Sequence, residues 1–154
     1  MTRRCLLVSA CLLGVRCRYD GKEKGDPQVL ALLEREDLTL IPVCPEQLGG
    51  LPTPRPAAER QGTRVCNRAG MDVTEAFRRG AEETLALARR YCCDGAILKE
   101  RSPSCGKGTI YDGGFSGTLT AGNGVTAELL LQNSIPVYGE SELKRLDTSE
   151  ENNA

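Results

Sequence analysis

Residues Ala96–Gly108 read "AILKERSPSCGKG". A short apolar run ends in charged residues, and a tight Ser-Pro-Ser-Cys-Gly turn then presents a thiol. The run "GAILK" (Gly95–Lys99) has the length and character of a buried strand. Before it, "MDVTEAFRRGAEETLALARRYCC" (Met71–Cys93) is the clearest helix, with Phe77, Ala81, Leu85, Ala88 and Cys92 on one stripe. Asp72 with Glu75 resembles a capping box, and Gly80 marks a close approach to a neighbour. The stripe predicts that Cys92 is buried, and Cys5 is expected to be buried as well.

The same alternation continues on either side. "RCLLVSA" (Arg4–Ala10) predicts a first buried strand, and "PQVLALLERED" (Pro27–Asp37) a short helix opened by Pro27. "LTLIPVC" (Leu38–Cys44) predicts a second strand, although Pro42 is awkward in a central position. "GVTAELLLQNS" (Gly124–Ser134) is a last helix and "IPVYGE" (Ile135–Glu140) a last strand. Cys44–Gly70 holds four prolines and reads as a long loop with a small strand near Thr63–Cys66. Thr109–Gly117 reads as a small hairpin or extended loop. The polar stretch 141–154 is expected to fray, leaving one domain over residues 1–140. The order β-α-β-α-β-α-β predicts a Rossmann-like α/β domain, with a mainly parallel sheet and helices on both faces. Ligands of such sheets sit beyond the carboxyl ends of the strands.

Composition narrows the chemistry. The chain has 154 residues, 40% hydrophobic and 27% charged, with net charge −1 and 4% aromatic residues. Scattered arginine pairs and few aromatics argue against an extended nucleic-acid groove and leave a small-molecule partner. The apolar runs are too short to span a bilayer. "MTRRCLLVSACLLG" lacks a spacer and cleavage site, so it reads as a strand rather than a signal peptide, which points to a cytoplasmic protein. The sequence has no histidine. That excludes a Ser-His-Asp triad, a Cys-His nucleophile pair and His-ligated zinc. It has eight cysteines, which in a reducing compartment are not a disulfide framework.

Parallel strands would bring three of those thiols to one edge. Cys11 follows the first strand in "SACLLG", Cys44 the second in "PVCPEQLGG", and Cys105 the third in "SPSCG". Glu46, Ser102 and Ser104 accompany them. Soft thiolates select Fe–S clusters, zinc or Cu(I), and three ligands leave one iron of a [4Fe-4S] cluster open as a Lewis acid. Cys17 is a further candidate ligand. On spacing alone, three unrelated buried thiols remain an equal alternative. "AGNGVTA" offers Gly122 and Gly124 at a helix start, either for an anion or as an ordinary turn and cap. Arg55, framed by prolines, is suited to an anion, to neutralising a cluster or to a surface ion pair.

Together "VSACLLGVRCRYDG", "PVCPEQLGGLPTPRPAAE", "DVTEAF", "ILKERSPSCGKGTIYDGGFSG" and "GNGVTAELL" resemble the domain of unknown function 523 family, whose characterised members are thiouracil desulfidases. The resemblance runs from about Cys5 to Glu140. It implies a [4Fe-4S] cluster on Cys11, Cys44 and Cys105, with Glu46 as catalytic carboxylate and Ser102 as catalytic serine. It also implies removal of sulfur from a thiolated pyrimidine without net redox chemistry. Some relatives carry a second domain and act on 4-thiouridine in transfer RNA. This sequence lacks that domain, so free thiouracil or a thiouridine nucleotide is the implied substrate. The competing readings are a non-catalytic zinc- or cluster-binding module and a thiol sulfurtransferase.

Overall fold

A computed structural model describes residues 3–147. Four strands, β1 (Arg4–Ser9), β2 (Leu38–Val43), β5 (Gly95–Leu98) and β8 (Val137–Gly139), form one sheet in the order β2-β1-β5-β8. Every pairing in it is parallel. The expected α/β architecture is the observed one. Pro42 lies on β2, an edge strand, where its missing N–H leaves no gap in a central ladder.

Alternation along the strands feeds two cores. On one face Leu6, Val8 and Ile97 pack with Val29 and Leu32, which belong to α1 (Pro27–Ala31) and the 3-10 turn after it. Asp26 caps α1, its carboxylate accepting from the N–H groups of Gln28 and Val29. On the other face Leu7, Ala96 and Leu98 pack with Leu85 and Ala88 of α3 (Thr74–Arg90) and with Ala127 and Leu130 of α4 (Val125–Gln132). Full burial of a Leu- or Phe-sized side chain contributes about 1.5–3 kcal/mol, so these two layers carry most of the fold.

Within Cys44–Gly70 the chain forms α2 (Pro45–Leu48) and an antiparallel hairpin of β3 (Ala58–Gln61) and β4 (Arg64–Asn67). A second hairpin pairs β6 (Thr109–Tyr111) with β7 (Leu119–Ala121). The close approach expected at Gly80 is to α2: a β-carbon there would lie 1.9 Å from the Pro45 carbonyl oxygen. The glycine lets α3 press against the turn that carries Cys44 and Glu46.

Four expectations fail. Cys92 is exposed, because α3 ends at Arg90 and Cys92 turns the chain at φ 51°. Its neighbour Cys93 turns inward instead, with its sulfur 3.4 Å from that of Cys5. Cys5 is therefore only half-buried, at the amino end of β1. No capping box forms at Asp72 and Glu75. Asp72 accepts from the Thr74 N–H and pairs with Arg64 at 2.8 Å, and hydrogen bonds from Thr74, aided by Arg64, lower its carboxyl to about 2. Finally, the polar stretch after residue 140 does not fray at once. Leu146 is buried against the first core and Arg35 holds Asp147 at 3.2 Å. The rest of that stretch, 148–154, lies outside the described residues.

Candidate active site

The strand order reverses at β1. Its sequence successor β2 lies on one side and β5 on the other, which opens a crevice at the carboxyl ends of β1 and β5. Three chain segments leave the sheet there. After β1, a 3-10 turn over Ala10–Leu13 carries the buried Cys11. After β2, Cys44 is the residue before α2, whose first turn contains Pro45 and Glu46. After β5, the chain turns over Ser102–Cys105. The Ser102 hydroxyl oxygen accepts from the N–H groups of Ser104 (3.1 Å) and Cys105 (3.0 Å), and its carbonyl accepts from Gly106. Cys11, Cys44, Cys105, Glu46 and Ser102 all line one cavity of about 550 Å³. The Ser-Pro-Ser-Cys-Gly turn thus forms one corner of the cavity.

The thiols do not sit in isolation. Cys17 is buried in the neighbourhood of Cys11 and Cys44. Its carbonyl accepts from the Cys44 thiol at 3.7 Å and from Arg55 Nη2 at 2.9 Å. The neighbouring Cys17 thiol, then burial, pushes the Cys44 thiol up, and the Cys11 thiol, more than burial, raises Cys17. Burial pushes Cys105 up to about 12, opposed by the nearby hydroxyls of Ser9 and Ser104. Ser9 escaped the sequence reading. It sits directly at the end of β1, beside Cys11, and its hydroxyl oxygen also accepts from the Lys99 N–H at 2.9 Å.

Of the roles open to Arg55, the structure shows an ion pair, and it is buried rather than at the surface. Its side chain is 4% exposed, and Nε donates to Glu46 Oε1 at 3.0 Å. Its other donors reach Pro52 O, Thr53 Oγ1 and Cys17 O. It therefore aims the Glu46 carboxylate and clamps the backbone beside Cys17. Glu46 lines the cavity, and among the described residues no hydrogen bond from the protein reaches its Oε2.

Gly122 and Gly124 do not offer their N–H groups to an anion. They donate to the carbonyls of Gly108 and Gly106, and Val125 and Thr126 donate to those of Pro103 and Ser104. The start of α4 is thus pinned to the Cys105 turn. A β-carbon at Gly124 would lie 2.4 Å from the Ser104 carbonyl carbon and 2.7 Å from the Cys105 nitrogen. Gly124→Ala is expected to lower stability by about 1–3 kcal/mol through overpacking. Because the displaced backbone carries Cys105, the variant is also expected to retain less iron per chain after anaerobic reconstitution. Wild-type iron content with a wild-type melting temperature would show that the contact does not position Cys105.

A family model described as 2-thiouracil desulfurase matches residues 6–142. The chain belongs to this family. Another similar protein, the uncharacterized protein YbbK of Bacillus subtilis (strain 168), is 42% identical over 148 residues, spanning 90% of this chain and 97% of that one. A solved structure, the [4Fe-4S]-dependent thiouracil desulfidase TudS (DUF523Vcz), superposes with a TM-score of 0.90 at 46% identity, covering 97% of this chain and 99% of that chain.

The donor set of this family member fits an iron–sulfur cluster. Three thiols arrive from three separate strand ends around one cavity. Among the described residues no three Cys, Asp or Glu side chains converge closely enough to hold a single metal ion. A cluster spreads its thiolate ligands over several iron atoms, so it needs donors placed around a volume rather than at a point. The same spacing counts against a structural zinc site, which closes tightly on four ligands. No helix among the described residues is long and apolar enough to cross a membrane.

Proposed function

We propose that this protein is a [4Fe-4S]-dependent desulfidase that converts a thiolated uracil and water into the uracil compound and hydrogen sulfide. Cys11, Cys44 and Cys105 are the cluster ligands, Glu46 the proton acceptor and Ser102 a hydrogen-bond donor to the substrate. The observation that carries the reading is the meeting of these five side chains on one cavity at the reversal point of the sheet. When bound, the cluster supplies a Lewis-acidic iron with an affinity for the soft thiocarbonyl sulfur.

The protein side of the chemistry follows from the hydrogen bonds. Arg55 holds one oxygen of Glu46, so the other is oriented to take a proton from water attacking the thiocarbonyl carbon. The Ser102 oxygen already accepts two N–H groups, which turns its own hydrogen outward. It therefore donates to a ring heteroatom or to the departing sulfur. The lining also includes Arg18, Lys24, Arg68 and Arg101. This cationic rim suits a phosphate, and hence a thiouridine nucleotide over the free base. All eight thiols are free, as a cytoplasmic setting would keep them.

The test is anaerobic reconstitution with iron and sulfide, followed by assays of sulfide release from 2-thiouracil, 4-thiouracil and 4-thiouridine monophosphate. Brown, iron-loaded protein that releases sulfide from at least one of them is expected. Iron-loaded protein inert on all three, or colourless protein that takes up zinc instead, would overturn the proposal.

A further inference from the structure

The chain has two phenylalanines, four tyrosines and no tryptophan. Phe77 and Tyr138 are in the core, yet Tyr19, Tyr111 and Phe115 line the cavity. In a chain so poor in aromatics, this concentration at one site calls for a cause. Phe115 is the most constrained of the three. Its φ is 55°, in the left-handed region that bulky side chains rarely enter. Such conformations persist only where surrounding contacts enforce them, and they cluster at ligand sites.

Those contacts come from the other hairpin. Glu59 on β3 accepts through one oxygen, Oε1, from the N–H groups of both Gly113 (3.0 Å) and Phe115 (3.1 Å). Gln61 Nε2 donates to the Gly113 carbonyl at 2.8 Å. The Arg68 guanidinium lies over the Phe115 ring, 5.8 Å from its centroid. With a cation over one face, the ring keeps its other face for a planar partner. None of these residues belongs to the parallel sheet that supplies the cysteines. The two hairpins instead build a separate aromatic wall on the same cavity.

We propose that Phe115 is a specificity-determining residue that stacks on the pyrimidine ring, and that Glu59 is the positioning residue that holds it there. The inference rests on the desulfidase reading for the identity of the ring, and adds to it the surface that recognises that ring. Stacking acts on binding more than on the bond-breaking step. Phe115→Ala is expected to raise KM about 5- to 150-fold, the loss typical of one base–aromatic stack, with kcat changed far less. Phe115→Tyr should restore KM. Glu59→Ala should raise KM in the same direction, because the 113–115 backbone loses its shared acceptor. Iron content should match wild type in all three variants.

Binding of uridine 5′-monophosphate to the iron-loaded protein, measured by anaerobic calorimetry, gives a readout that needs no turnover. Phe115→Ala should weaken it by a similar factor and Phe115→Tyr should not. Unchanged affinity in Phe115→Ala, or no binding by wild type, overturns the stacking role. Failure of the desulfidase reading is seen separately, as wild-type protein that releases no sulfide whatever its affinity for the nucleotide.

Discussion

Cys44→Ala protein, reconstituted anaerobically with iron and sulfide, is expected to remain colourless and to hold almost no iron or acid-labile sulfide. Cys44 is the only thiol contributed by the end of β2. Removing it would leave a cluster with two of its three proposed protein ligands. The apo protein should be little affected, since the change deletes one sulfur from a half-buried position. A destabilisation near 1 kcal/mol would shift the melting temperature by about 2–4 °C in a domain of this size. Cys92→Ala is the matched control. That thiol is exposed and lies beyond the end of α3, and iron content should not change. A Cys44→Ala protein with full iron and labile sulfide would remove Cys44 from the ligand set.

The legible features of this sequence are those with a repeating physical cause. Apolar runs of strand length alternate with helical segments, and that alternation permits little besides parallel pairing with crossovers. Once the strands are parallel, their carboxyl ends share an edge, so Cys11, Cys44, Cys105, Glu46 and Ser102 could be placed together without knowing a single distance. The misreadings lie where tertiary contacts override a local pattern. The apolar stripe of α3 continues through Cys92 on paper, but the helix stops two residues earlier and Cys93 takes the inward place. Gly122 and Gly124 have the spacing of an anion-binding turn, yet the N–H groups there are consumed by carbonyls of the Cys105 turn. Arg55 gives no sign in sequence that its partner is Glu46, nine residues away across a proline-rich bend. The aromatic wall was hidden for a related reason. Its hairpins are short, and the restraint on Phe115 comes from Glu59, 56 residues earlier in the chain.

Glu46→Gln should keep the brown cluster while turnover falls by about 10²–10⁴-fold, the usual contribution of a positioned proton acceptor. The substitution is nearly isosteric. A glutamine carbonyl at the position of Oε1 still accepts from Arg55 Nε, so the cleft keeps its clamp and only the ability to take a proton is lost. Glu46→Ala is expected to lose turnover equally but to carry a second effect. It leaves the Arg55 guanidinium, 4% exposed, without its counter-charge. Breaking a fully buried pair from one side costs about 3–5 kcal/mol. The cost here should be smaller, because the Glu46 side chain is 18% exposed and Arg55 retains Pro52 O, Thr53 Oγ1 and Cys17 O. The two variants therefore separate chemistry from structure: sulfide release should fall in both, and the melting temperature should fall clearly only in Glu46→Ala. Since Arg55 also braces the carbonyl of Cys17, which meets the Cys44 thiol, some loss of iron is expected in Glu46→Ala and none in Glu46→Gln. Glu46→Gln protein that holds its cluster and releases sulfide at the wild-type rate would mean that another group takes the proton. Glu46→Gln protein that cannot hold iron would instead make Glu46 a part of the cluster site itself.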